Sequence, residues 1–256
     1  MSVAQTLTVA RMSLKGGLRG FRLLGLGALA AVPSAVVAAL AASGAGPSTL
    51  ANSTESLFLS LTLPVVILLL ALVLFVAQFR AEIEDDTLAY LLARSVPRTD
   101  IAVGKYFGAL GAALAFSLPA TFIPLAVAGA GGAPAPSAAV ILSLGMMAFL
   151  ATMTFGAAYC FLGLITRSAL LIGLLVGFLW EELVPLLPGY APRLTLVYYL
   201  RNLAALLVST GPLSGFPTPY SLPTVIAVPV AVAIVFLGLT AGVFRSREIP
   251  PGRTTA

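Results

Sequence analysis

The 256-residue chain contains no histidine. That absence removes His-ligated zinc sites, imidazole general bases and Ser-His-Asp triads together. The single cysteine, Cys160, rules out an intrachain disulfide and leaves the redox compartment unread. Charge is scarce: 9% of residues are Asp, Glu, Lys or Arg, against about 25% in soluble domains. No G-x-x-x-x-G-K-[ST] stretch occurs, so the chain does not bind ATP by a phosphate loop. What remains is oil. Hydrophobic residues make up 59% of the chain and mean hydropathy is +1.06, the composition of a polytopic membrane protein.

Apolar runs of about 20 residues suffice to cross the hydrocarbon as helices. Six are expected: Leu23–Ala42, Leu57–Phe79, Tyr106–Ala128, Ala138–Ile165, Ala169–Leu187 and Leu222–Phe244. The fifth is interrupted near its end by Glu181 and Glu182. Turn-forming stretches separate several of them, among them SGAGPS, GAGGAPAPS and GPLSGFPTPYSLP. The fold class expected is all-α, a single transmembrane domain over 1–256, with a cytoplasmic segment at 80–105 and an apolar, re-entrant segment at 188–221.

Lys and Arg orient the spans. With a cytoplasmic N-terminus, twelve of the fourteen bases fall inside and only Arg193 and Arg201 outside. Both termini are therefore expected in the cytoplasm of a plasma-membrane protein. The net charge of +5 reflects this topology, and nucleic acid is not an expected partner. Residues 1–22 place Val3, Leu7, Ala10, Leu14, Leu18 and Phe21 on one helical face and Arg11, Lys15, Arg19 and Arg22 on another. This is an amphipathic helix suited to anionic headgroups. Its apolar continuation exceeds a signal-peptide core, so an uncleaved first span is expected.

Residues 80–105, RAEIEDDTLAYLLARSVPRTDIAVGK, hold five of the nine acids and four of the fourteen bases. Asp85 and Asp86 stand where acids complement a helix N-terminus. Leu88, Leu91 and Leu92 make one apolar face, and Pro97 stops the run. A second short helix is expected to restart at Thr99 or Asp100. A projecting helix of this kind offers a docking surface to a cytoplasmic protein.

This stretch resembles the cytoplasmic loop of permeases of the ABC-2 transporter superfamily. The similarity rests on acids followed by Thr87-Leu88, then Leu91-Leu92, Pro97-Arg98 and Gly104-Lys105. The six-span layout and the basic N-terminus extend it along the chain. Asp86 departs from a glycine frequent at that place. The resemblance implies a dimer, with a homodimer expected, driven by a separate ABC ATPase subunit that binds ATP and magnesium, and operating as an exporter. This chain would carry no cofactor and no catalytic residue. It would meet the ATPase through Glu82, Glu84, Asp85, Asp86, Thr87, Leu88, Leu91, Leu92, Arg94, Pro97 and Arg98.

The second unusual stretch is 177–203, GFLWEELVPLLPGYAPRLTLVYYLRNL. Glu181 and Glu182 sit either in the outer interface, with Trp180 at headgroup level, or at depth, where ionisable residues mark function. After Pro188 the segment is too apolar for an exposed loop. A helix dipping back toward the membrane is expected, with Glu181 or Glu182 paired to Arg193 or Arg201 as an outer gate. Hydroxyls within the spans, such as Ser60, Thr121, Thr152 and Thr154, are expected to bond back to their own helices. The few charges at depth favour an amphiphilic cargo. A self-sufficient carrier is the competing class, and an intramembrane enzyme is disfavoured.

Overall fold

The computed structural model describes residues 3–17, 21–84, 98–166 and 168–246. Among these the chain is helical throughout its regular structure, with no strand. Helix α1 spans Val3–Gly17 and α2 Phe21–Ala42. Helix α3 (Pro47–Leu57) passes through π-helical turns at Phe58–Ile67 into α4 (Leu68–Glu84). Helix α5 covers Arg98–Ala130 and α6 Ala138–Ile165. Helix α7 (Ala169–Leu175) continues as π-helical turns at Val176–Leu183 and a 3-10 turn at Val184–Leu186. The short α8 spans Leu196–Leu207 and α9 Leu222–Ser246.

Among the described residues, five helical stretches are long and apolar enough to cross a membrane: Leu23–Ala42, Pro47–Ala77, Thr99–Ala130, Ala138–Ile165 and Leu222–Arg245. The protein is therefore an all-helical chain with the build of a polytopic membrane protein. The segment expected as a fifth span, 169–187, is not among the five. Its helix changes hydrogen-bonding pattern within eight residues of its start. Two other boundaries shift outward. The second run begins at Pro47, a favoured first position of a helix, and the third begins ahead of Tyr106 because Arg98 already opens α5.

Spans of similar composition take different places. Of its most apolar window, 72% is buried for Pro47–Ala77 but only 17% for Leu222–Arg245, so α4 is central and α9 peripheral. Exposed Ile234, Val235 and Leu239 on α9 form a face that suits lipid rather than water.

Small residues set the central contacts. On α6, Gly156 and Gly163 face α4, where a side chain at 156 would overlap the Phe75 ring. A Cβ at 163 would come within 3.0 Å of the Val76 carbonyl oxygen. Such notches let backbones approach closely where no hydrophobic drive separates helix from lipid. Tyr106 of α5 donates to the Met153 carbonyl of α6 at 2.8 Å, and its ring lies 5.5 Å from Phe75.

Hydroxyls inside the bundle mostly serve their own helices. Ser60, Thr121, Thr152 and Thr154 donate to carbonyls four residues back. Thr154 also lies 3.2 Å from the Pro229 carbonyl of α9, and Thr152 lies 3.2 Å from Ser117 of α5.

Candidate functional site

Two places concentrate polar chemistry, at opposite ends of the helices. The first surrounds α1 and the start of α5. Helix α1 lies against α5. It can do so because a side chain at Gly108 would run into the Ala10 carbonyl and Ser13, while Gly111 accommodates Leu14. Ala10, Ser13 and Leu14 thus turn inward, and Leu7, Thr8, Arg11 and Met12 turn outward. The expected apolar stripe is divided: Ala10 and Leu14 pack on protein, whereas Leu7 is 70% exposed beside Arg11. Lys15 belongs to the last turn of α1 and Arg22 to the first of α2, while Arg19 lies outside the described residues.

Of the residues assigned to the ATPase contact, Asp85, Asp86, Thr87, Leu88, Leu91, Leu92, Arg94 and Pro97 lie outside the described residues. Glu82 and Glu84 fall in the last turn of α4, and Arg98 begins α5. One part of the charged stretch departs from expectation. Asp100 and Lys105 do not project; they are buried at the start of α5, where both are engaged with neighbours. A charge that leaves water needs such partners.

The second place is α8 and the loop after it, held by two carboxylates from elsewhere and by an arginine of α8 that reaches out. Glu181 comes from the π-helical turns after α7 and is 5% exposed. Its Oε2 accepts the backbone N–H of Val197 at 2.9 Å, and the N–H of Leu196 adds a second bond. Thr195, the N-cap residue of α8, makes no side-chain cap bond. Its hydroxyl donates instead to Pro192. The cap therefore comes from a residue fourteen positions upstream. A carboxylate there satisfies free N–H groups and complements the helix dipole.

Arg201 lies one turn along α8 and reaches the other way. Its Nη2 donates to the Leu59 carbonyl at 3.4 Å. That carbonyl is free for a covalent reason. In the π-helical register, residue 59 would accept from the amide of residue 64, and Pro64 has none. The guanidinium also lies 5.7 Å from the Phe216 ring and attracts both Glu181 and Glu182. The third anchor is Glu55 of α3, which accepts the N–H of Leu213. Its Oε2 would be 2.8 Å from a Cβ at Gly211, a residue at φ 84 where only glycine sits without strain.

The acid–base pairing expected at this end thus takes another form. Glu181 serves a helix terminus, Arg201 serves a carbonyl, and attraction between them is secondary. Arg193 stacks 4.6 Å over Tyr190 and 5.7 Å from Tyr220. Tyr199 and Tyr220 stack at 5.7 Å, and burial holds the Tyr199 hydroxyl above its ordinary range. Glu182 Oε1, Arg201 Nε and Asn202 Oδ1 are buried without a hydrogen-bond partner. Each unpaired group of this kind costs about 1–3 kcal/mol.

The sequence reading singled out Glu181, Glu182, Arg193 and Arg201 but missed Glu55, Asn202 and the freed carbonyl of Leu59. Pro64 was the signal for the last: a proline inside an apolar run predicts an orphaned acceptor, not only a kink. Glu55 was missed because the run was started at Leu57. Groups of three or more Asp, Glu or Cys able to hold a metal do not occur among the described residues. No protein-family model and no curated protein matches the chain.

Proposed function

We propose that this chain is the membrane-spanning permease subunit of an ABC-2 type transporter, an exporter that works as a dimer. A separate ATPase would couple to it through residues 82–98. One observation carries the reading. Helix α1 packs on α5 at Gly108 and Gly111, within four turns of Arg98, where the described chain resumes after the charged segment. A protein docking on that segment would meet α1 and α5 together. Force on the segment would pass straight into α5, a single helix of 33 residues. At the other end, α8 and its anchors provide the element that closes the pathway. Both termini then face the cytoplasm of the plasma membrane. Purification of the tagged chain with gentle crosslinking tests this. Crosslinks from residues 85–98 to an ATPase bearing a phosphate loop are expected.

A self-sufficient carrier has one observation in its favour: two helices break into π-helical turns, and one of these breaks carries the buried Glu181. Broken helices near an ionisable residue are a carrier feature. Here, however, Pro64 and Glu181 are engaged in holding α8. Transport by the lone chain in vesicles without ATP would replace the permease reading with this one.

A further inference from the structure

A cavity of about 460 Å³ opens between α6, the turns after α7, the start of α8, and α9. This volume suits one small amphiphile. Phe155, Leu162, Val232 and Phe236 give it apolar walls. Its polar groups are few and mostly committed. Glu181 takes the Val197 and Leu196 N–H groups. Trp180 Nε1 donates to the Leu194 carbonyl at 3.2 Å, Thr195 donates to Pro192, and Tyr199 is bonded to Tyr220.

One donor is left over. Tyr159 lines the cavity, but its hydroxyl is sealed from it, occupying the notch that Gly177 leaves; a Cβ there would lie 2.6 Å from the oxygen. The free donor is the Arg193 guanidinium. It is exposed at the rim, steadied by aromatic rings, and is in no ion pair among the described residues. A charged donor at the mouth of an apolar cavity calls for a ligand that accepts. The one carboxylate on the wall does not oppose this, since a helix N-terminus already compensates it.

We propose that this cavity binds a single-chain amphiphile with an anionic head, a carboxylate or phosphate, its head on Arg193 and its chain along Leu162 and Phe236. The site lies within one chain. It does not rest on coupling to an ATPase, so failure of either idea leaves the other standing.

Trp180 is the only tryptophan and lines the cavity, which supplies an internal probe. A chain-brominated long-chain fatty acid is titrated into the full-length chain in nanodiscs, alongside the brominated alcohol of equal length. Saturable quenching is expected, with a midpoint at least tenfold lower for the acid. Arg193→Gln should abolish that preference. Ala158→Phe should remove saturation by filling the cavity, while Arg193→Gln, on an exposed side chain, covers the case in which that variant misfolds. An amphiphile that co-purifies at one per chain marks a resident lipid, and a site that fills only on titration marks a cargo. Both support the proposal. Quenching that rises linearly, equally for acid and alcohol and unchanged in the variants, reports lipid contact of the exposed Trp180 ring and overturns it.

Discussion

Helices α1 and α8 are both short, both amphipathic and both laid against longer helices, yet they are held by opposite means. Helix α1 is seated by the absence of side chains: Gly108 and Gly111 let its backbone come close to α5. Helix α8 and the loop after it are seated by hydrogen-bonding groups from three distant places: the carboxylates of Glu181 and Glu55, and the Leu59 carbonyl that Arg201 finds. Steric seating has no directional term, and it tolerates sliding of a helix along its notch. Hydrogen-bonded seating in a dry environment is stronger and orientation-specific, and it fails abruptly when one partner goes. The first suits an element that shifts with its neighbour, and the second suits a closure that is either held or released.

Four experiments separate these modes, in falling order of effect. Gly108→Leu should detach α1, because the new side chain meets backbone that cannot yield; overpacking of this kind costs about 1–3 kcal/mol or more. Trypsin cleavage after Arg11 should then quicken at least tenfold, with the helix content of the remainder, read by circular dichroism, kept. Unchanged cleavage would mean that the notch does not hold α1.

Glu181→Ala should destabilise by about 1–3 kcal/mol, since it leaves the Val197 N–H buried and unpaired. Glu181→Gln keeps an acceptor and should lose less than half as much. Thermal unfolding in one detergent compares the two; equal losses would show that charge, and not the cap, matters.

Arg201→Leu should cost about 1–2 kcal/mol by orphaning the Leu59 carbonyl. Adding Pro64→Ala supplies an amide for that carbonyl, so the double variant should recover about 0.5–1 kcal/mol relative to additivity. Strict additivity would break the link between the proline and the arginine.

The smallest effect on folding belongs to Arg11→Gln, whose side chain faces away from α5. Stability should not change, while binding to vesicles rich in anionic lipid should weaken about fivefold. Equal binding to neutral and anionic vesicles before the change would remove the interfacial reading of α1.

Much of the helical layout was legible because apolar length is a property of consecutive residues. Runs of twenty or more show a span regardless of what packs on it, and the periodic Arg11 and Lys15 marked out α1 in the same way. The 169–187 segment reads as well by length as its neighbours, yet its helix changes register at Val176. There the glycines Gly173 and Gly177 sit against Leu72, Leu68 and Tyr159. Which charges would be buried was less legible. Asp100 and Lys105 belong by composition to a solvated stretch, and burial followed from where α1 and the rest of the bundle close over α5.

Local pattern sufficed for the class of molecule, the approximate limits of five of the six expected apolar helices, and the amphipathic N-terminus, because each depends on neighbours within a few turns. Tertiary structure alone decided that α4 is central and α9 peripheral, since both are apolar enough to face lipid. It alone made Glu181 the cap of a helix fourteen residues ahead, and joined Arg201 to a carbonyl that Pro64 had left without a partner. A hydrogen bond needs two groups within about 3 Å, and the distance between residues 59 and 201 exists only once the chain has folded.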